Sequence, residues 1–180
     1  MGSVTWSPAG NSSVNCVPNS GTNWEAVLTD DADTLFVKGV PPNTSPYTQD
    51  IYTKSGDPVP AGATNISITV TIKVKASGAL SIVNAQAGLS SSGTISVELV
   101  APPGITAIDP AAYESKTHTL TNDPATSAAW TVTGINAILL VMRVSASANT
   151  DGRCTYVTAT VTYTDPPANS GMVLMIYDDL

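Results

Sequence analysis

The sequence predicts an all-β fold: an antiparallel β-sandwich of jelly-roll type with one short helical turn and extended N- and C-terminal arms. Three observations lead there. Ile66, Ile68, Val70, Ile72 and Val74 alternate with Ser, Thr and Lys across residues 65–75, the period-two pattern of a half-buried antiparallel strand. Segments of this kind recur along the chain, separated by Gly, Pro, Asn and Asp turns, as in sandwiches and jelly rolls. Finally, no helical pattern is long enough to cover a parallel sheet.

The elements follow in order. Residues 1–22, rich in Ser, Asn, Gly and Pro, read as an irregular N-terminal arm. Trp24 to Leu28 and Thr34 to Val40 read as strands flanking the acidic corner Asp30-Asp31-Ala32-Asp33. Pro41-Pro42 ends that run and Pro46 keeps the next stretch a loop. After the strand over 65–75, residues 80–89 and 94–100 form a pair joined by the turn Ser90-Ser91-Ser92-Gly93. Pro102-Pro103-Gly104 opens a loop before a strand from Tyr113 to Leu120. Asn122-Asp123-Pro124 reads as a helix start, with Asp123 capping and Pro124 at the first helical position. One or two helical turns over 125–137 precede strands at Ile138–Ser147 and Thr155–Tyr163, the latter burying Val157, Ala159, Val161 and Tyr163. The sandwich domain thus spans 23–165. A tail over 166–180 carries an apolar run that includes Met172, Leu174, Ile176 and Tyr177, candidates for burial by a neighbouring subunit.

Composition narrows the function. Charged residues make up 12% of the chain, against about 25% in ordinary domains. The net charge is -7, and Ser and Thr occupy 43 of 180 positions. No basic cluster is available to displace counterions from phosphates, which argues against nucleic acid. One His and two Cys are too few for a zinc site. No apolar run reaches the roughly 18 residues of a membrane span. The N-terminus has no basic and apolar leader, so synthesis in a cytosol is expected. Cys16 and Cys154 leave two readings open: buried free thiols, or a disulfide tying the N-terminal segment to a late strand. The outward strand positions carry Thr and Ser instead of Lys and Glu, an unusual surface that suits coverage by another protein.

Catalytic constellations are sparse. A Ser-His-Asp arrangement would have to use His118, the sole histidine, and no Gly-x-Ser-x-Gly elbow is present. Glycoside hydrolysis needs two carboxylates, with Glu25, Asp50, Glu98 and Glu114 as candidates. These observations predict a protein that is not an enzyme and holds no cofactor. Asp30, Asp31 and Asp33 are weak Ca²⁺ candidates, because their spacing matches no EF-hand loop and acidic turns more often cap backbone amides. Asn11-Ser12-Ser13, Asn43-Thr44-Ser45 and Asn65-Ile66-Ser67 fit the glycosylation pattern but read as chance without a secretory route. Trp24 and Trp130 are either core anchors or a stacking platform for sugars.

Asn23-Trp24-Glu25-Ala26-Val27, followed by Asp30-Asp31-Ala32-Asp33-Thr34 and Val37, resembles the opening of a β-rich structural protein of tailed bacteriophages. The resemblance continues at Asp50-Ile51-Tyr52, Asn122-Asp123-Pro124-Ala125-Thr126, Ala129-Trp130-Thr131, Ile135-Asn136-Ala137 and the last strand, covering about residues 22–164. It departs at Ile138-Leu139-Leu140-Val141-Met142, where the family has a Gly-containing strand. It implies a jelly-roll-like domain of the virion, made in the host cytoplasm, without catalytic residues or cofactor. The expected role is capsid decoration or cement, through contacts with the major capsid protein and other copies of itself. A tail or fibre component, partnered by tail proteins, and a carbohydrate- or receptor-binding module are the alternatives. Neither nucleic acid nor membrane is an expected partner.

Overall fold

A computed structural model describes residues 1–30, 34–39, 47–78, 84–97, 111–145 and 151–167. The strands among them are β1 (Gly2–Val14), β2 (Val17–Pro18), β3 (Val37–Lys38), β4 (Thr48–Ser55), β5 (Thr64–Ala76), β6 (Ala85–Ser91), β7 (Thr94–Val97), β8 (Glu114–Leu120), β9 (Leu139–Val144) and β10 (Gly152–Thr164). A 3-10 turn covers Glu25–Val27, and a helix, α1, covers Val132–Asn136. None of the helices described is long and apolar enough to cross a membrane.

The strands form two antiparallel sheets. One runs β8-β5-β10-β1, with β3 and β2 continuing from the start of β10. The other runs β4-β9-β6-β7. Setting the short β2 and β3 aside and numbering the remaining eight strands in chain order, the sheets read 1-8-3-6 and 2-7-4-5. That is the strand order of a jelly roll, two Greek keys folded face to face. Ile68, Val70, Ile72, Val157, Ala159 and Val161, whose alternation is visible in the sequence, meet Tyr52, Ala87, Leu89, Leu140, Met142 and Val144 from the other sheet, all fully buried. Each large apolar side chain so buried contributes about 1.5–3 kcal/mol.

β1 belongs to both sheets. Gly2 to Trp6 pair with β10, and Ser7 to Val14 pair with β4. Pro8, which has no N–H to donate, sits just past the crossing, and the register shifts between Pro8 and Gly10 and again between Asn11 and Ser13. Trp6 is fully buried at the crossing, where its indole N–H donates to Asp57 O (2.8 Å) and the Lys54 ammonium lies 3.7 Å from its ring centroid. Lys54 Nζ also donates to Asn136 O at the end of α1. The Asn136 amide in turn pairs with both backbone groups of Val59, accepting from its N–H at 2.9 Å and donating to its O at 3.0 Å.

Five local expectations are corrected. Residues 2–14 are a strand and not an irregular arm, because neighbours on two sheets supply the hydrogen bonds that a polar, Gly- and Pro-containing segment cannot arrange for itself. The stretch after Pro46 contains β4, whose inward Thr48, Asp50 and Tyr52 include only one large apolar side chain. The strand expected over Trp24–Leu28 is a 3-10 turn, where the Thr22 N–H and hydroxyl both donate to Glu25 Oε2, and only Val37–Lys38 of the next expected strand is paired. Asp123 does not start the helix. Its Oδ1 accepts the Ala125 N–H in a tight turn that Ser127 leaves at φ 60°, while Thr131 caps α1 by accepting the Gly134 N–H. The helical turns thus lie within 125–137 but later than the Asp-Pro signal.

Gly88 of β6 makes a sharp packing test. A Cβ there would lie 2.5 Å from both Ser96 O and Val97 Cγ1, and the carbonyl is backbone that cannot rotate away. Gly88→Ala is expected to lower stability by about 1–3 kcal/mol in urea titration. A change below about 0.5 kcal/mol, ordinary for a surface site, would contradict the close β6–β7 approach.

Candidate interaction surface

Asp50 is completely shielded from solvent, and four hydrogen bonds hold its carboxylate. Its Oδ1 accepts the backbone N–H groups of Asn15 and Cys16, both at 2.8 Å. Its Oδ2 accepts Asn23 Nδ2 at 2.8 Å and the Tyr52 hydroxyl at 2.9 Å. Four donors fill the roughly four lone-pair sites of a carboxylate. Asn23 Nδ2 donates also to Cys16 O, so the link between β1 and β2, the Asn23 loop and β4 converge on one group. Burial, then the Asp50 charge, raises the Tyr52 hydroxyl well above its ordinary pKa and raises the Cys16 thiol as well. Burial pushes Cys154 up to about 12. Both cysteines are free and buried, so the disulfide reading is not realised. β3 lies between β2, which follows Cys16, and β10, which carries Cys154.

The outer face of the β8-β5-β10-β1 sheet is the most distinctive surface. Strand register sets Thr119, Thr69, Thr160 and Thr5 side by side across all four strands. Flanking rows hold Thr117, Thr71 and Thr158 on one side and Ser67, Thr162 and Ser3 on the other. Rows in such a sheet lie about 7 Å apart and strands about 4.8 Å apart, so the hydroxyls and methyls form a grid without charge. Thr69 Oγ1 and Thr119 Oγ1 share a hydrogen bond of 2.8 Å. Among the described residues, charge begins only beyond these rows, where it is engaged: the Met1 ammonium pairs with Asp165 at one end, and at the other Lys73 pairs with Asp30, Lys75 lies over the Tyr113 ring and Arg153 over the Phe36 ring. In the opposite sheet all seven residues of β6 are buried, so that strand is covered on both faces.

The candidate residues fall as follows. Asp30 is occupied by Lys73, and Asp31 and Asp33 lie outside the described residues. Among the described residues no group of three His, Cys, Asp or Glu side chains could hold a metal ion. The described carboxylates do not converge. Glu25 is exposed, with its pKa lowered by the Thr22 hydrogen bonds; Asp50 is enclosed; Glu114 pairs with Lys116 at 3.4 Å. Glu98 is outside the described residues, as are Met172, Leu174, Ile176 and Tyr177. Trp24 packs partly buried against the core beside Asn11, whereas Trp130 is 7% exposed beside Leu120, toward the opposite end of β1, so they form no common platform. His118 points inward at the rim between the sheets, with Nε2 2.9 Å from Ser96 Oγ of β7. The Asp50 anchor, the Trp6–Lys54 stack and the Asn136 clamp escaped sequence reading, because their partners are up to 82 residues away.

The chain matches no protein-family model and no curated protein sequence.

Two predictions follow from these contacts. Asp50→Ala strands four donors, three of them on buried residues, and is expected to cost about 3–5 kcal/mol in chemical denaturation, with Asp50→Asn in between because one amide oxygen still accepts. A loss under about 1 kcal/mol would contradict the anchor. Burial lowers the pKa of His118 from its ordinary 6.5. The unfolded chain therefore takes up the proton first, and the contribution of His118 to stability, complete above about pH 6.5, is lost as pH falls below it. The drop in melting temperature from pH 7 to pH 5 should be smaller in His118→Gln, and an identical drop would remove His118 from the pH response.

Proposed function

We propose that this chain is a structural virion protein, a capsid decoration protein that stabilises a shell through protein–protein contacts of its hydroxyl-rich sheet face. The observation that carries this reading is the uncharged grid of Thr and Ser centred on Thr119, Thr69, Thr160 and Thr5. Burying it desolvates no charge, and interface cores are depleted of charged residues. Threonine is stiff at χ1, so covering it immobilises little. An exposed sheet ordinarily carries Lys or Glu against unwanted association, and that defence is missing from these rows. The residues that resemble a tailed-bacteriophage structural protein support the virion setting, and the jelly roll supports it by analogy, since shells and lectins both use that fold. Copies of the same chain are the natural lateral neighbours on a shell, with the major capsid protein beneath.

The test is composition of purified particles by quantitative mass spectrometry. Copies comparable with the major capsid protein are expected, a few copies per particle would shift the assignment to a tail or vertex, and absence would overturn it. Thr117→Lys combined with Thr160→Glu should abolish incorporation while changing unfolding free energy by no more than about 0.5 kcal/mol. Incorporation at the level of the unmodified chain would exclude this face as the contact.

A further inference from the structure

The β5–β8 ladder ends at the pair Ile68–Leu120. Beyond it the strands part: β8 runs into the Asp123–Ser127 turn, and Trp130 returns alongside Leu120. The parting leaves a cavity of about 320 Å³, open to solvent and lined by Asn65, Ile66, Ser67, Thr121, Ala129 and Trp130. Its rim is shaped by an irregularity in β5. Thr64 pairs with Thr164 and Ser67 with Thr162, so Asn65 and Ile66 together oppose Tyr163. Asn65 takes the extra length with φ 50°, a left-handed conformation that costs free energy in any residue with a side chain. Bulges of this kind re-aim a side chain and are common beside binding sites. Asn65 Nδ2 donates to Thr164 Oγ1, which leaves the amide oxygen as an acceptor.

The chemistry of the lining selects a ligand class. No charged side chain is among the six residues, so an anion or cation would lose its hydration without a counter-charge. A wholly apolar ligand would leave the Asn65 amide and the Ser67 and Thr121 hydroxyls desolvated and unpaired. The Trp130 indole N–H is committed to Leu120 O and the residue is only 7% exposed, so the margin of its ring, with Ala129 and the accessible part of Ile66, supplies the apolar side. Apolar surface on one side and neutral donors and acceptors on the other match a pyranose ring, which has C–H faces and an equator of hydroxyls. The volume lies at the small end of the roughly 300–1,000 Å³ of ligand sites, enough for one ring with the remainder of a glycan outside. We propose that this cavity is a subsite for one ring of a neutral saccharide, held by Asn65, Ser67 and Thr121 against Trp130. The cavity shares Ser67 with the edge of the hydroxyl grid, but the inference does not rest on the assembly role, whose central row is Thr119, Thr69, Thr160 and Thr5.

The experiment is a ¹H–¹⁵N correlation titration of the full chain with the methyl glycosides of glucose, galactose, mannose and N-acetylglucosamine at millimolar concentration. Saturable shifts of the Trp130 indole, the Asn65 amide and the backbone of Ser67 and Thr121 are expected with at least one of them. Asn65→Gly accepts the same φ without the amide and should bind about tenfold more weakly. Ala129→Trp fills the cavity and should abolish the shifts. The absence of saturable shifts with all four glycosides, or shifts that persist in Ala129→Trp, would overturn the proposal. Should Ala129→Trp fail to fold, Asn65→Gly decides alone, and undiminished affinity there would also overturn it.

Discussion

The carboxylate of Asp50 sets a condition that much of the surrounding structure has to meet. A charge taken fully out of water is tolerable only if its lone pairs are occupied, and here four donors from three separate segments occupy them. The chain between β1 and β2 must pass close enough to present two consecutive backbone N–H groups. The loop before the 3-10 turn must bring Asn23 to the same point, and β4 must turn Asp50 and Tyr52 inward together. One buried group therefore ties the N-terminal segment to the second sheet. Without it, residues rich in Ser, Asn and Gly would have little apolar surface to hold them in place.

A second constraint operates at the crossing strand. Because β1 pairs first with β10 and then with β4, it joins the two sheets along one side of the sandwich, and Trp6 fills the corner so formed. Lys54 lies over the ring on the solvent side, with burial lowering its pKa, while its ammonium keeps hydrogen-bonding contact with the end of α1. The two sheets end up unequal. β6 is covered on both faces, whereas the β8-β5-β10-β1 sheet presents rows of Thr and Ser outward. The inequality gives the molecule a direction: an anchored side and a side whose chemistry suits contact. The saccharide-sized cavity lies at the margin of that second side, where the ladder opens.

Legibility varied with the range of the interactions that define each element. The strands β5 and β10 are readable because alternation of apolar residues such as Ile and Val with Thr is a property of adjacent residues. The hydroxyl face was readable for the same reason, since outward positions are simply the complement of inward ones. β4 was not readable: its inward set, Thr48, Asp50 and Tyr52, mixes a hydroxyl, a carboxylate and one aromatic, and its identity as core depends on partners elsewhere. Asp123 carried a helix-start signal that its own side chain satisfied locally by bonding Ala125, and the helix moved on to the next capping residue, Thr131.

The sequence by itself determined an antiparallel β-sandwich, its inward residues on β5 and β10, the low charge and the hydroxyl-rich exterior, because each of these follows from composition and a period of two. Only the tertiary structure decided that the N-terminal segment is a strand shared by two sheets, that Asp50 anchors the link to β2, and that Cys16 and Cys154 are buried free thiols. It also decided that Thr5, Thr69, Thr119 and Thr160 stand in one row. The physical reason is common to all of them. Backbone hydrogen bonding is indifferent to residue identity, so which strands meet, and in what register, is settled by how the whole core packs and how every buried polar group finds a partner.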